Sequence, residues 1–212
     1  MKIVVYGGTG MVGSRVVETA LQHGHEVTAV SRSGKAPAGA TGVAAELGDV
    51  EALNRLAAEA DAVVFAVPPD RTGGPAQPVI DAHRAIIADR PGARLLIVGG
   101  AGSLQVGDAL RGELPDYPAD GLLKDTPGFP AMFLPEASAF TTILDDYRAA
   151  EGLDWTLVSP SPEIAPGERT GYLLGGDALA GMKVSAEDFA DAIVDELETP
   201  AHRNARFTVA SH

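Results

Sequence analysis

The chain has 212 residues, 16 Lys and Arg against 29 Asp and Glu for a formal net charge of −13, and no cysteine. Such a length suits one domain that buries its own core, and the missing thiols exclude disulfides, thiolate metal sites and thiol catalysis. The acidic balance speaks against a nucleic-acid surface, which needs clustered Lys and Arg.

Lys2 to Tyr6 is a short β-branched apolar run of the kind a buried parallel strand gives. It reaches glycines too soon to be a signal peptide, and no stretch approaches the ~20 apolar residues of a membrane helix. A soluble protein of the reducing cytoplasm is therefore expected. Met11 to His23 follows as a helix with Val12, Val16, Val17, Ala20 and Leu21 on one face, stopped by Gly24. His25 to Ser31 and Gly42 to Leu47 read as strands, and Asp49 caps a helix through Glu59. Ala62 to Val67 is a strand cut off by Pro68-Pro69; a helix over Pro75 to Asp89 leads to a further strand, Arg94 to Val98. Strand and helix alternate with short connections, which predicts an α/β fold: a doubly wound parallel sheet.

The second half is less regular. Residues 104–133 are rich in Gly, Pro and Asp and read as a long functional loop. A helix over Glu136 to Glu151 and a strand over Leu153 to Ser159 follow, then irregular structure from Ser161 to Gly181 with a short hairpin. Ser185 opens a capping sequence for a helix to Glu198, and Arg206 to Val209 forms a last strand.

Between the first strand and first helix stands Gly7-Gly8-Thr9-Gly10-Met11-Val12-Gly13. One glycine makes a tight turn, one lets the backbone approach a pyrophosphate, and Gly13 lets helix pack on strand; this is the Rossmann dinucleotide fingerprint in its proper context. The helix N-terminus offers unpaired N–H groups to the phosphates, so Gly7, Gly10, Met11, Val12 and Gly13 are expected to bind a dinucleotide. The second strand ends in Ser31-Arg32-Ser33 with Lys35 beyond, where an NAD enzyme carries Asp or Glu for the ribose hydroxyls. A guanidinium there suits a 2′-phosphate, so NADP(H) is expected over NAD(H), with Arg32 and Ser33 as contacts. Asp49 is either an acceptor for the adenine amino group or a helix cap. Val67, Pro68 and Gly99, at the carboxyl ends of strands, complete the expected cofactor contacts.

With GGTGMVG, IVGGAGSL (97–104), LDWTLVSP (153–160), PGERTG (166–171), the S-x-E-D-x-A helix start (185–190) and the closing RFTVA, the chain resembles the atypical short-chain dehydrogenase/reductases. More narrowly it resembles the NAD(P)H-binding NADH-flavin reductase group, near the NmrA-like and biliverdin reductase B-like proteins. The resemblance implies a single Rossmann domain over residues 1–212 with a nicotinamide cofactor and a small C-terminal substrate lobe. Elements of that lobe are expected within 104–133 and 161–184. It also implies a serine after the fifth strand, here Ser103, as the candidate catalytic hydroxyl; the other reading of Ser103 is a loop or capping residue. The chain departs from the short-chain dehydrogenases at their Tyr-x-x-x-Lys pair: Tyr147 has Glu151 four residues on, and Met132 to Ala137 offers Phe133 but neither Tyr nor Lys.

Pro160 and Arg169 are the candidate substrate contacts, Arg169 as an anion clamp or else a structural ion pair. The five histidines, at 23, 25, 83, 202 and 212, lack metal-ligand spacing and read as surface residues, and no metal is expected. These features predict an NADPH-dependent oxidoreductase that reduces a small flavin, quinone or carbonyl acceptor, as monomer or homodimer, with no nucleic-acid or membrane partner. The alternative is a non-catalytic, NmrA-like dinucleotide sensor; an epimerase or dehydratase is disfavoured by the short C-terminal lobe.

Overall fold

The computed structural model describes residues 1–212. Its first half alternates β1 (Lys2–Tyr6), α1 (Met11–Gln22), β2 (Glu26–Ser31), β3 (Thr41–Ala44), α2 (Val50–Ala57), β4 (Ala62–Phe65), α3 (Gln77–Asp89) and β5 (Arg94–Val98). The second half holds α4 (Leu134–Ala149), β6 (Trp155–Pro160), β7 (Glu163–Ala165), β8 (Tyr172–Gly175), β9 (Lys183–Ser185), α5 (Ala186–Glu198) and β10 (Ala205–Ser211). Eight strands form one sheet in the order β3-β2-β1-β4-β5-β6-β10-β8. Its pairings are parallel except at the edge, where β8 runs antiparallel to β10. The fold is a doubly wound Rossmann sheet.

Alternation along the strands divides the core. Ile3 and Val5 face one layer, with Val16, Val17 and Ala20 of α1 and Phe189, Ile193 and Leu197 of α5. Val4 and Tyr6 face the other, with Leu53 of α2, Ile80 and Ile86 of α3, and Phe140, Ile143 and Tyr147 of α4. Strands buried on both faces are apolar throughout, which is why β1, β4 and β5 read so clearly in the sequence.

Residues 104–133 form an ordered excursion with its own small core of Leu104, Val106, Leu110 and Leu123, joined by Leu179. Gln105 pins it through backbone bridges to Leu122 and Ala178.

The expected hairpin between Ser161 and Gly181 does not form: β7 pairs in parallel with β9 as a separate two-stranded sheet, and β8 joins β10. The reason lies in the first turn of α5. Glu187 accepts from Gly167 N–H, and Asp188 accepts from Thr170 and Gly171 N–H and from the Thr170 and Ser211 hydroxyls. These carboxylates take the loop amides that a hairpin would have paired. Burial by itself would raise the Asp188 carboxyl, but its donors, Ser211 first, hold it below the ordinary carboxylate range.

Candidate functional site

The sheet order reverses between β1 and β4, the point at which doubly wound folds open a crevice at the carboxyl ends of their strands. The glycine turn sits in that gap. Gly7 has φ +76° and lies so close to the end of β4 that a Cβ would come 2.4 Å from Ala66 O. A Cβ on Gly13 would meet Gly7 O at 2.2 Å, so α1 rests directly on the turn. Gly10 differs, since a Cβ there would touch only Gly7 O, at 3.3 Å; this glycine keeps the mouth of the turn open. Gly10 also caps α1 without a side-chain bond, and the first helical bond runs from Ser14 N–H to Gly10 O. The amides of Met11, Val12 and Gly13 are therefore the unpaired donors of the helix N-terminus. A cradle closed to a Cβ at Gly7 and Gly13, ending in free amides, fits a dinucleotide pyrophosphate.

Beside the turn, Thr9, Ser31, Arg32 and Ser33 line an open, wholly polar cavity of ≈ 450 Å³. The strand end is shaped by Ser31 Oγ donating to Lys35 O at 2.8 Å and by Lys35 N–H donating to Ser33 Oγ. Lys35 thus enters through its backbone. Arg32 is exposed and makes no hydrogen bond or ion pair. Arg32 lies within electrostatic reach of Asp70, whose carboxyl is held below its ordinary value chiefly by Thr72, with a smaller contribution from Arg32. Asp49 caps α2, accepting from Ala52 N–H at 2.9 Å.

The rest of the rim comes from the ends of β4, β5 and β6. Val67 abuts the glycine turn, Pro68 is exposed, and Gly99 is packed so tightly that a Cβ would lie 2.6 Å from Leu157 Cδ2 and 3.2 Å from Ser159 Oγ. The Ser159 hydroxyl, just before Pro160, is buried and has no hydrogen-bond partner. Arg71, in the loop after β4, grips Glu136 in the first turn of α4 through bonds of 2.6 and 2.7 Å. Next to that bridge Met132, Phe133 and Leu134 stand exposed, Met132 by 77%.

Ser103 is only 3% exposed. Its hydroxyl donates to Gly100 O at 3.3 Å and accepts from Arg206 Nη1 at 3.1 Å, while Arg206 also binds Ser103 O and Asp177. Arg169 pairs with Asp191 and donates to Thr19, on the helical face formed by α1 and α5. Tyr147 is fully buried against His83, and burial pushes its hydroxyl above the ordinary tyrosine range.

Two expectations about the histidines need correction. His83 is a core residue, 1% exposed and packed on Phe65 and Tyr147. His23 and His25 meet Glu198, a carboxylate too distant in sequence for any spacing rule to find. A further cavity of ≈ 280 Å³, lined by Lys2, Glu26, Arg55 and Glu59 among others, lies at the amino ends of β1 and β2 and contains none of the site residues. No helix is long and apolar enough to cross a membrane.

Comparison with known proteins agrees with this geometry. Residues 7–200 match the profile of a family described as NAD(P)H-binding. The Bacillus subtilis protein YwnB, itself uncharacterized, is 38% identical in an alignment covering all of this chain and 99% of YwnB. A Streptococcus pneumoniae structure provisionally named an NADH-flavin reductase superposes with a TM-score of 0.84 at 29% identity, over 100% of both chains. A Bacteroides thetaiotaomicron structure provisionally named an epimerase gives 0.81 at 32% identity, over 99% of this chain and 96% of that one. The chain therefore belongs to the family described as NAD(P)H-binding.

Proposed function

We propose that the protein is an NADPH-dependent oxidoreductase that delivers hydride to a small planar acceptor, a flavin or quinone before a carbonyl compound. The observation that carries this reading is the polar recess beside the glycine turn, where Arg32 has no partner and no carboxylate stands to receive ribose hydroxyls. A 2′-phosphate would meet a bidentate guanidinium there, with Thr9, Ser31 and Ser33 as further donors. When bound, the reduced nicotinamide supplies two electrons and a proton as hydride.

The chain's own part is to bind, orient and exclude water. The amides of Met11, Val12 and Gly13 receive the pyrophosphate in the cradle of Gly7 and Gly10. Val67, Pro68, Gly99 and Pro160 wall the nicotinamide side, and Asp49 offers its second carboxylate oxygen to the adenine edge. Met132 and Phe133 give a flat aromatic acceptor an apolar surface to lie against. Ser103, buried and tied to Arg206, is assigned a positioning role for the Gly99–Gly100 edge, and Arg169 the structural pair with Asp191. With Tyr147 sealed in the core, no side chain at the rim supplies a proton. The acceptor therefore takes its second proton from solvent, which flavins and quinones do readily.

The same absence favours a second reading, a dinucleotide-dependent regulator, and loss of reduced-nicotinamide absorbance with flavins, quinones and aldehydes separates the two. Turnover on flavin or quinone with NADPH supports the reductase. Tight cofactor binding without turnover on any acceptor supports the regulator. Turnover confined to aldehydes removes the planar-acceptor assignment.

A further inference from the structure

His23 is the C-terminal cap of α1, His25 immediately precedes β2, and between them Gly24 adopts φ +81°. That left-handed turn brings the two imidazoles side by side, with ring centroids 6.3 Å apart. Glu198, the last residue of α5, closes the group: its Oε1 lies 3.1 Å from His23 Nδ1 and 2.7 Å from His25 Nε2. One potential ligand atom from each of the three residues lies within 4.8 Å of the others.

The contacts are unequal. The His23 pair is a formed hydrogen bond. At His25 the side chain is only 9% exposed, and Nε2 lies at ion-pair distance from Glu198 but outside hydrogen-bond geometry. The Met1 amino group approaches the other ring nitrogen, Nδ1, at 3.3 Å. A buried imidazole nitrogen this close to a carboxylate yet poorly aligned for a hydrogen bond sits in an arrangement that a shared cation would complete.

We propose that His23, His25 and Glu198 form a binding site for one divalent transition-metal ion of the zinc class, at the pole of the sheet opposite the cofactor turn. Two imidazoles and a carboxylate form a borderline donor set, preferred by zinc, nickel or copper over magnesium or calcium. Tetrahedral zinc with bonds of about 2.0–2.1 Å places neighbouring ligand atoms about 3.3 Å apart. The two short contacts would open slightly and the widest pair would close, which the half-exposed side chains of His23 and Glu198 allow. The twelve residues of α1 separate this group from the phosphate turn by ~18 Å of helix. The ion would therefore act as a staple joining α1, β2 and α5, outside hydride transfer. A fourth position, facing solvent, would be filled by water.

The test uses untagged, chelator-stripped full-length protein and Zn²⁺ titration calorimetry. One ion per chain is expected, with affinity weakened at least about tenfold in His23→Gln and in Glu198→Gln. Zn²⁺ should raise the melting temperature of the unmodified protein and not that of either variant. Both substituted side chains are partly exposed, so folding is retained, and circular dichroism with NADPH titration checks it. His25→Gln extends the series if it folds. Absence of stoichiometric binding, or equal affinity in His23→Gln and Glu198→Gln, overturns the site.

Discussion

The two halves of this sheet are held by different means. From β1 to β5 the chain relies on aliphatic strands and a turn stripped of side chains, and the only groups at the cofactor mouth with chemistry of their own are hydroxyls and Arg32. From β6 to β10 it relies on charged clamps across long sequence separations. Glu196 of α5 takes Arg94, from the start of β5, into a buried pair and also holds His202; Arg206 ties Asp177 to Ser103; Asp188 collects the loop before β8. The first half leaves backbone bare at its turn, whereas the second half uses polar side chains to define one arrangement of loops around that bare backbone. On the proposed function, binding and shaping would fall to different residues.

Substitutions that cross this division should break it most. The largest effect is expected from Gly13→Val, because the new Cβ would lie 2.2 Å from Gly7 O. Loss of more than about 4 kcal/mol, read as failure to recover folded protein, is the expected outcome. Arg94→Met comes next. It leaves Glu196, whose side chain is 4% exposed, with His202 as its one remaining charged partner. Breaking a buried pair in this way should cost about 3–5 kcal/mol in a urea titration, while the affinity of the surviving folded protein for NADPH stays unchanged.

His83 supplies a pH test on the same scale. Burial pushes its pKa down to about 4 from the ordinary 6.5, so the unfolded chain binds the extra proton between those values. Stability tied to a neutral His83 is complete above pH 6.5 and lost as pH falls toward 4, by about 2 kcal/mol at pH 5. Urea midpoints of His83→Phe should fall less between pH 7 and pH 5 than those of the unmodified protein.

A smaller effect in free energy is the most specific. Arg32→Asp should leave stability untouched and reverse a preference for NADPH over NADH of about tenfold, roughly 1.4 kcal/mol. Equal affinities in the unmodified protein would remove Arg32 from the 2′-phosphate role. Ser103→Ala sharpens the boundary between halves: a positioning role predicts lower kcat with unchanged KM for NADPH, and a purely structural one predicts only a stability loss of about 1 kcal/mol.

Legibility followed the same division. The strands β1, β4 and β5 and the glycine turn could be read because hydrophobic runs and glycines are local signals whose cause lies within a few residues. Ser185 as the cap of α5 was legible for the same reason, its hydroxyl accepting from Asp188 N–H three residues on. What could not be read are partnerships fixed by the closed sheet. Arg206 looks like an interruption in an apolar strand until Asp177 and Ser103 are beside it. The loop from Pro166 to Gly171 looks like half of a hairpin until the carboxylates of α5 take its amides. His83 carries no sign that two aromatic rings will enclose it, and His23, Gly24 and His25 give no hint of Glu198.

The contact between Gly13 and Gly7 has a consequence for how this protein can change over time. The atoms that let α1 touch the turn are the atoms that would receive a pyrophosphate, so on the proposed function one position would govern both survival of the chain and possession of its ligand. A library selected for folded members should therefore almost never return a change at Gly13. Lineages that gave up the dinucleotide would show it first at Gly10, where a Cβ would meet only Gly7 O, and at the exposed Arg32, where a new side chain can be tried without endangering the whole.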